Sequence, residues 1–384
     1  MTTRIDELVD DRRVVICCGS GGVGKTTTAA VLALEGARRG RSACVVTIDP
    51  ARRLADALGI QHLTNDPTEI DRKLWADDTV APGGRLFAMM LDTKSTFDVL
   101  VSRNASSPQQ AQRILDNTFY RNVSGALGGT QEYMAMEKLH ELYDEGNFDL
   151  IVVDTPPTRH ALDFLDAPRR LTRLLDNRVF RLLMMPTRAY LKVASVAVQT
   201  FLRTVARVVG SEVIEDVVAF FRAFEGMEEG FRERAKVVGD LLEDPATAFV
   251  LVSSPRRDAM QEATFFAERL AEAGQTVEAL VVNRVHPSFG DEAPAGLRAA
   301  AAALRIKQSE AQPSEAGARL AALYDNLSDF REIAILEREH IEALRDRIGP
   351  DTTLAYVPYL PHDVHDFATL HEVGELLFDT VSAR

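Results

Sequence analysis

Residues 19–26 read GSGGVGKT; they follow the apolar run VVICC directly and lead into the helical stretch TTTAAVLALEGARR. The spacing is G-x-x-x-x-G-K-[ST], in the strand, loop and helix context that this pattern requires. Its physical demand is that successive backbone N–H groups point inward on a chain of phosphates, with the first turn of a helix adding its dipole. Glycine permits the close approach and the unusual dihedrals, and Gly21, Gly22 and Gly24 are expected to supply them. Lys25 is expected to neutralise the β- and γ-phosphate oxygens, Thr26 to coordinate Mg2+ through its hydroxyl, and Thr27 to donate to the α-phosphate. Gly19, Ser20 and Val23 complete the loop, so the segment predicts a nucleoside-triphosphate site served by Mg2+.

A strand that feeds such a loop belongs to a sheet. Short apolar runs rich in β-branched residues recur at 14–18, 43–48, 150–153, 248–252, 279–282 and 353–357, each closed by turn or polar residues. Runs that are apolar on both faces and alternate with helical patterns indicate a parallel sheet covered on both sides. The expected fold class is α/β, doubly wound, with a mainly parallel sheet and an inserted α-helical subdomain.

Between the strands the chain makes two helical excursions, 93–145 and 168–245, far longer than a crossover needs. The expected organisation is a core whose first part is 1–92, a helical insertion at 93–145, and a further core piece at 146–167. A helical subdomain at 168–245 then offers a client or dimer surface, and 246–384 forms the second part of the core. Within that last part, about 288–348 is rich in Ala, Glu and Arg and reads as exposed helices with a polar hinge near 312–314.

Composition works mainly by exclusion. With 384 residues, 46% hydrophobic and 26% charged, the chain can build one large or two medium cores, which sets disorder aside. The formal charge of −13 and the lack of any basic run make a nucleic acid or an anionic membrane surface an unexpected partner. Cys17, Cys18 and Cys44 lie in apolar strand-like runs, so they read as core residues of a reducing cytoplasm rather than disulfide or zinc ligands. His160, His362, His365 and His371 show no ligand spacing, and no metal other than Mg2+ is expected. The acidic start MTTRIDELVDDRR has no apolar segment of the secretory kind, and no apolar run approaches the ~20 residues needed to span a bilayer. The expected location is the cytoplasm, without membrane insertion.

Two further segments accompany the loop. Asp49 follows the second run in TIDPARRLADALG, and Asp154 follows the third in VVDTPPTRHALDFLDAP. These resemble the switch I and switch II segments of the ArsA-type deviant P-loop ATPases, a family that includes arsenite-pump and tail-anchored-protein targeting ATPases. There they run DPAHSLSDAFG and DTAPTGHTLRFLxLP. The likeness extends from residue 14 to about 375 and takes in the order of helical insertions and the segment PRRDAMQEATFFAERL.

The resemblance implies a P-loop NTPase of the SIMIBI type that uses ATP and Mg2+ as a nucleotide-controlled dimer. It implies that Asp49 orients and polarises the attacking water. It also implies that Asp154, after LIVV in a Walker B arrangement, holds Mg2+ through a water and couples the γ-phosphate to switch II. Asn283 resembles the family's adenine-binding asparagine, whose amide matches the donor and acceptor edge of the base. Residues 358–363, PYLPHD from Pro358 onward, resemble the loop that walls the base. Both segments also read as turn chemistry alone.

The pattern departs from the family in two places. Its loop usually begins Gly-Lys-Gly-Gly, that lysine reaching across the dimer to the partner's nucleotide, and here Ser20 stands in the position. A neutral hydroxyl cannot bring that charge, so hydrolysis is slow, or a paralogous subunit supplies the cation, or another residue replaces it. Arg159 is the first candidate, with Arg52 and Arg53 behind it; each also reads as a solvated surface arginine. The zinc-binding CxxC of many targeting members is missing, so neither a zinc-joined dimer nor thiolate sensing of metalloids is expected.

In the long helical region Leu171, Leu174, Leu175, Val179, Leu182 and Leu183 recur at helical spacing, ahead of Met184, Met185 and Pro186. The next stretch, AYLKVASVAVQTFLRTVARVV, is apolar on nearly every face. By resemblance it lines a groove for an apolar client helix; by its residues alone it packs on itself and on a dimer mate. The stretch LHEVGELLF is amphipathic but lacks a basic face, which predicts packing on the core. The partners expected are therefore a second copy or a paralogous ATPase subunit, with an apolar client helix or a membrane protein in one reading. Two functional classes stay open: a dimeric ATPase, or a catalytically weak ATP-binding subunit that serves as a binding or regulatory module.

Overall fold

The computed structural model describes residues 5–49, 53–123, 130–156, 158–176, 225–310, 314–349 and 351–378, with scattered positions between 216 and 223. Its strands are β1 Val14–Gly19, β2 Ser42–Thr47, β3 Thr68–Glu69, β4 Arg85–Met90, β5 Leu150–Asp154, β6 Thr247–Ser253, β7 Val277–Val285 and β8 Thr353–Pro358. They form one eight-stranded sheet in the order β3-β4-β2-β5-β1-β6-β7-β8. Every neighbouring pair is parallel except the short edge pair β3 and β4. The fold is the expected α/β one, and the six apolar runs are strands β1, β2 and β5 through β8.

Alternation along each strand sorts its side chains into two cores, because successive residues point to opposite faces. Val14, Ile16 and Cys18 of β1 join Ile151 and Val153 of β5 and Phe249 and Leu251 of β6 on one face. Helices Thr130–Asp144, Glu228–Glu243, Arg257–Glu272 and the last turns of Glu315–Ile348 contribute to that core, through residues such as Leu139, Val238, Phe266 and Ile341. Val15 and Cys17 of β1 join Val152 and Val250 on the other face. There they meet the alanine-rich helix Lys25–Arg38 and the helices Ile5–Asp11 and Phe367–Phe378. All three cysteines are buried and unbridged.

The C-terminal helix packs as its pattern predicts: Leu370, Val373 and Leu377 are buried against the core beside Val31 and Leu34. Between β7 and β8 rise two helices, Pro294–Glu310 and Glu315–Ile348. The second is capped by Ser314, whose hydroxyl accepts from the Gly317 N–H at 3.1 Å. Among the described residues no helix is long and apolar enough to cross a membrane. The excursion at 93–145 is helical where described, as Thr93–Asn104, Pro108–Leu115, Thr118–Val123 and Thr130–Asp144. The apolar stretch 177–215, with Met184, Met185 and Pro186, lies outside the described residues, as does Arg52.

β4 and β3 were not expected. RLFAMM holds no β-branched residue, so composition does not mark it as a strand. It becomes one because its backbone completes β2, residue against residue from Ser42↔Arg85 to Thr47↔Met90.

Candidate functional site

β1 lies in mid-sheet between β5 and β6, with β2, β4 and β3 beyond one side and β7 and β8 beyond the other. The loop of residues 19–26 leaves its C-terminal end, where a doubly wound sheet opens a crevice. Gly24 precedes the helix Lys25–Arg38 in left-handed backbone at φ 99°, and a Cβ there would stand 2.2 Å from Asn283 Nδ2. Gly22 also has positive φ. The third is Gly19 rather than Gly21, at φ 152°, where a Cβ would meet the Val252 carbonyl oxygen at 2.0 Å. Pairing of β1 with β6 runs to Gly19↔Val252, and this close approach moves the glycine requirement to the strand's end.

Lys25 is only 7% exposed, and its Nζ donates to the Ser20 carbonyl oxygen at 2.8 Å. Burial pushes its ammonium below the ordinary lysine range, against the pull of Asp154 and Asp49. Thr27 is half-buried in the same first turn.

Asp154 closes the floor of the site at 1% exposure. Its Oδ2 accepts from Thr26 Oγ1 at 2.7 Å and from Thr47 Oγ1 at 2.9 Å. Its Oδ1 is buried and has no hydrogen-bond partner. Burial raises its pKa, opposed by the two threonine hydroxyls and by Lys25. Sheet register brings the groups together, since Asp154 stands beside Cys17 of β1 and Thr47 of β2. Thr155 then ties the following segment to β1, its hydroxyl donating to the Cys17 carbonyl at 2.8 Å. A buried carboxylate oxygen without a donor costs free energy unless a cation or water serves it. With the Thr26 hydroxyl adjacent, the donor set is all oxygen and fits Mg2+.

Thr47 was not among the residues singled out from sequence. Only strand pairing marks it: Thr47 closes β2, and pairing of β2 with β5 sets it against Asp154. Asp49 itself is at the mouth, where its N–H donates to Thr47 Oγ1 at 3.3 Å. Arg53 Nη1 lies 3.5 Å from Asp49 Oδ2, with the arginine side chain 59% exposed. Arg159 falls in the first turn of helix Thr158–Asp176, and its side chain lies outside the described residues.

At the far side of the loop, Asn283 ends the regular part of β7 and donates from Nδ2 to the Val23 carbonyl oxygen at 2.9 Å. Its Oδ1 accepts from the Arg284 N–H at 2.9 Å. Both ends of the amide are thus engaged with protein groups. Arg284, also unselected from sequence, donates from Nη1 to the Gly22 carbonyl oxygen at 3.2 Å. Pro358 pairs with Val285 at the end of β8, and Tyr359 beyond it stacks on His286 with ring centroids 5.8 Å apart. A cleft of about 400 Å3 runs along this side, walled by residues 20–23, Arg256, Arg284 and Tyr359 among others.

Comparison with known proteins agrees with this geometry. Residues 12–307 match the family model for anion-transporting ATPases of the ArsA kind. An "ATPase ASNA1 homolog" of Cryptosporidium parvum is 24% identical over 369 residues, covering 92% of this chain and 91% of that protein. A "Putative arsenical pump-driving ATPase 1" of Aquifex aeolicus is 25% identical over 290 residues, 72% of this chain and 64% of its own length. "ATPase GET3" of Malassezia globosa is 26% identical over 279 residues, 72% of this chain and 74% of that one. A family match across most of the chain, on a parallel sheet with a glycine-rich loop at the end of its β1 strand, leads to one conclusion: this protein belongs to the ArsA family of anion-transporting ATPases.

Proposed function

We propose that this chain is an Mg2+-dependent ATPase that binds ATP at residues 19–26 and works in the cytoplasm as a nucleotide-controlled dimer, with itself or with a paralogous subunit. The observation that carries the reading is the buried, donorless Oδ1 of Asp154 beside the Thr26 hydroxyl, at the foot of the glycine-rich loop. Bound Mg2+ would be held by Thr26 and, through water, Asp154, and would supply positive charge to the phosphate oxygens.

Lys25, already largely stripped of its hydration, exchanges the Ser20 carbonyl for phosphate oxygens and loses little on doing so. Asp49, at the C-terminal end of β2 and less deeply buried than Asp154, orients water toward the γ-phosphate. Arg159 stays the first candidate for the cation that Ser20 does not provide, with Arg52 and Arg53 behind it, Arg53 being already paired with Asp49. Asn283 and Pro358 flank the base, which requires the Asn283 amide to be shared with the Val23 carbonyl it now holds.

Thr155, tied to β1 directly after Asp154, begins the segment that relays occupancy to helix Thr158–Asp176 and the helical subdomain at 168–245. In this reading the core comprises 1–92, 146–167 and 246–384, and the helical parts open or close on an apolar client helix or a partner.

The test measures phosphate release and mass together. The purified chain should hydrolyse Mg·ATP and sediment as a dimer with a non-hydrolysable analogue, and Asp49→Asn should lower turnover by about 10²–10⁴-fold while ATP affinity changes little. Full turnover in Asp49→Asn would remove that residue from the reaction. Activity that appears only on mixing with a paralogue would assign the chain to a passive subunit.

A further inference from the structure

β7 does not end smoothly. Its pairing with β8 slips between Asn283 and Val285, and Arg284 is left in the bulge with left-handed backbone at φ 62°. A side chain larger than glycine is strained there, and such strain persists where the surrounding structure holds the residue for a purpose. From this bulge two successive side chains reach to two successive carbonyls of the phosphate loop, Asn283 to Val23 and Arg284 to Gly22. The Asn283 amide is fixed in that sense because its Oδ1 is occupied by the Arg284 N–H.

Those carbonyls belong to the peptide groups whose N–H ends are carried by Val23 and Gly24. In a trans peptide C=O and N–H point in opposite directions, so holding the oxygens outward toward β7 turns the N–H groups the other way. A donor on a carbonyl oxygen also draws electron density through the amide and makes its N–H a stronger donor, the more so when the donor is charged.

We propose that Arg284 is a positioning residue for nucleotide binding: by clamping the Gly22 carbonyl from outside, its guanidinium orients and polarises the Gly22–Val23 peptide toward the phosphates without touching them. The inference rests on the reading of residues 19–26 as a nucleotide site. It assigns a role to a residue on the far strand of the cleft, 262 positions from the carbonyl it serves.

Left-handed backbone makes the experiment clean, because glycine and asparagine adopt it more readily than arginine. Arg284→Gly, Arg284→Asn and Arg284→Lys would be compared with the unsubstituted full chain by calorimetry with Mg·ATP, by thermal melting, and by the amide resonance of Val23 without nucleotide. We expect the Gly and Asn variants to melt at or above the parent temperature and to bind Mg·ATP about tenfold more weakly. Their Val23 amide proton should move upfield, and Arg284→Lys should recover part of both effects.

Mg·ATP affinity within twofold of the parent in the Gly and Asn variants would overturn the inference alone. Weaker binding matched by a lower melting temperature in both would assign Arg284 to fold maintenance and overturn it too. No Mg·ATP uptake by the unsubstituted chain would overturn the nucleotide reading, and this inference with it.

Discussion

Asp154 is sealed from water with one oxygen served by two hydroxyls and the other by nothing. A carboxylate whose pKa is raised by burial contributes stability that is complete below the unfolded-state pKa and is lost as pH rises through the folded-state value. As pH rises above the ordinary aspartate range the nucleotide-free chain therefore loses the stability that a protonated Asp154 contributes. Asp154→Asn should raise its melting temperature near pH 7, and the gain should vanish as pH falls below the ordinary aspartate range, while Mg2+ no longer enhances ATP binding. A melting temperature lowered at neutral pH would contradict this account of the site. Lys25, Thr26, Asp49 and Asp154 were singled out from short segments, since the first two lie in the glycine-rich motif and the aspartates stand at or just beyond the ends of β5 and β2. Thr47 and Arg284 were not, because nothing in their local sequence distinguishes them from ordinary strand-end residues.

At the scale of elements, β1, the loop and the helix Lys25–Arg38 act as one unit, and Gly24 is the joint at which the loop enters the helix. At its φ of 99° any side chain is strained, and a methyl group there would stand 2.2 Å from the Asn283 amide nitrogen and displace it from the Val23 carbonyl. Gly24→Ala should destabilise the chain by at least about 2 kcal/mol and abolish Mg·ATP binding, as measured by denaturant melts and calorimetry. Wild-type affinity in that variant would mean that β7 and the loop part easily. Strand placement shows where element-level reading succeeds. Runs such as LIVV and AFVLV declare a doubly buried strand by composition. RLFAMM does not, and only the open edge of β2 makes β4 of it.

For the whole molecule, binding at a site built from β1, β2, β5 and β7 ends should couple to global stability. Mg·ATP at a hundredfold excess over its Kd should stabilise the native state by about 2.7 kcal/mol, visible as a melting temperature that climbs with nucleotide concentration. A melting curve indifferent to nucleotide would count against occupancy of the folded state. Sequence alone determined the α/β class, the glycine-rich loop and the family, because these rest on local geometry: glycine dihedrals, two-sided apolar runs and motifs of a dozen residues. Tertiary structure alone decided which distant groups complete the site. The strand order set Thr47 beside Asp154, and the β7 bulge carried Asn283 and Arg284 to the loop across separations of 260 and 262 residues. Contacts that far apart along the chain are fixed by sheet register and packing, and no local pattern records them.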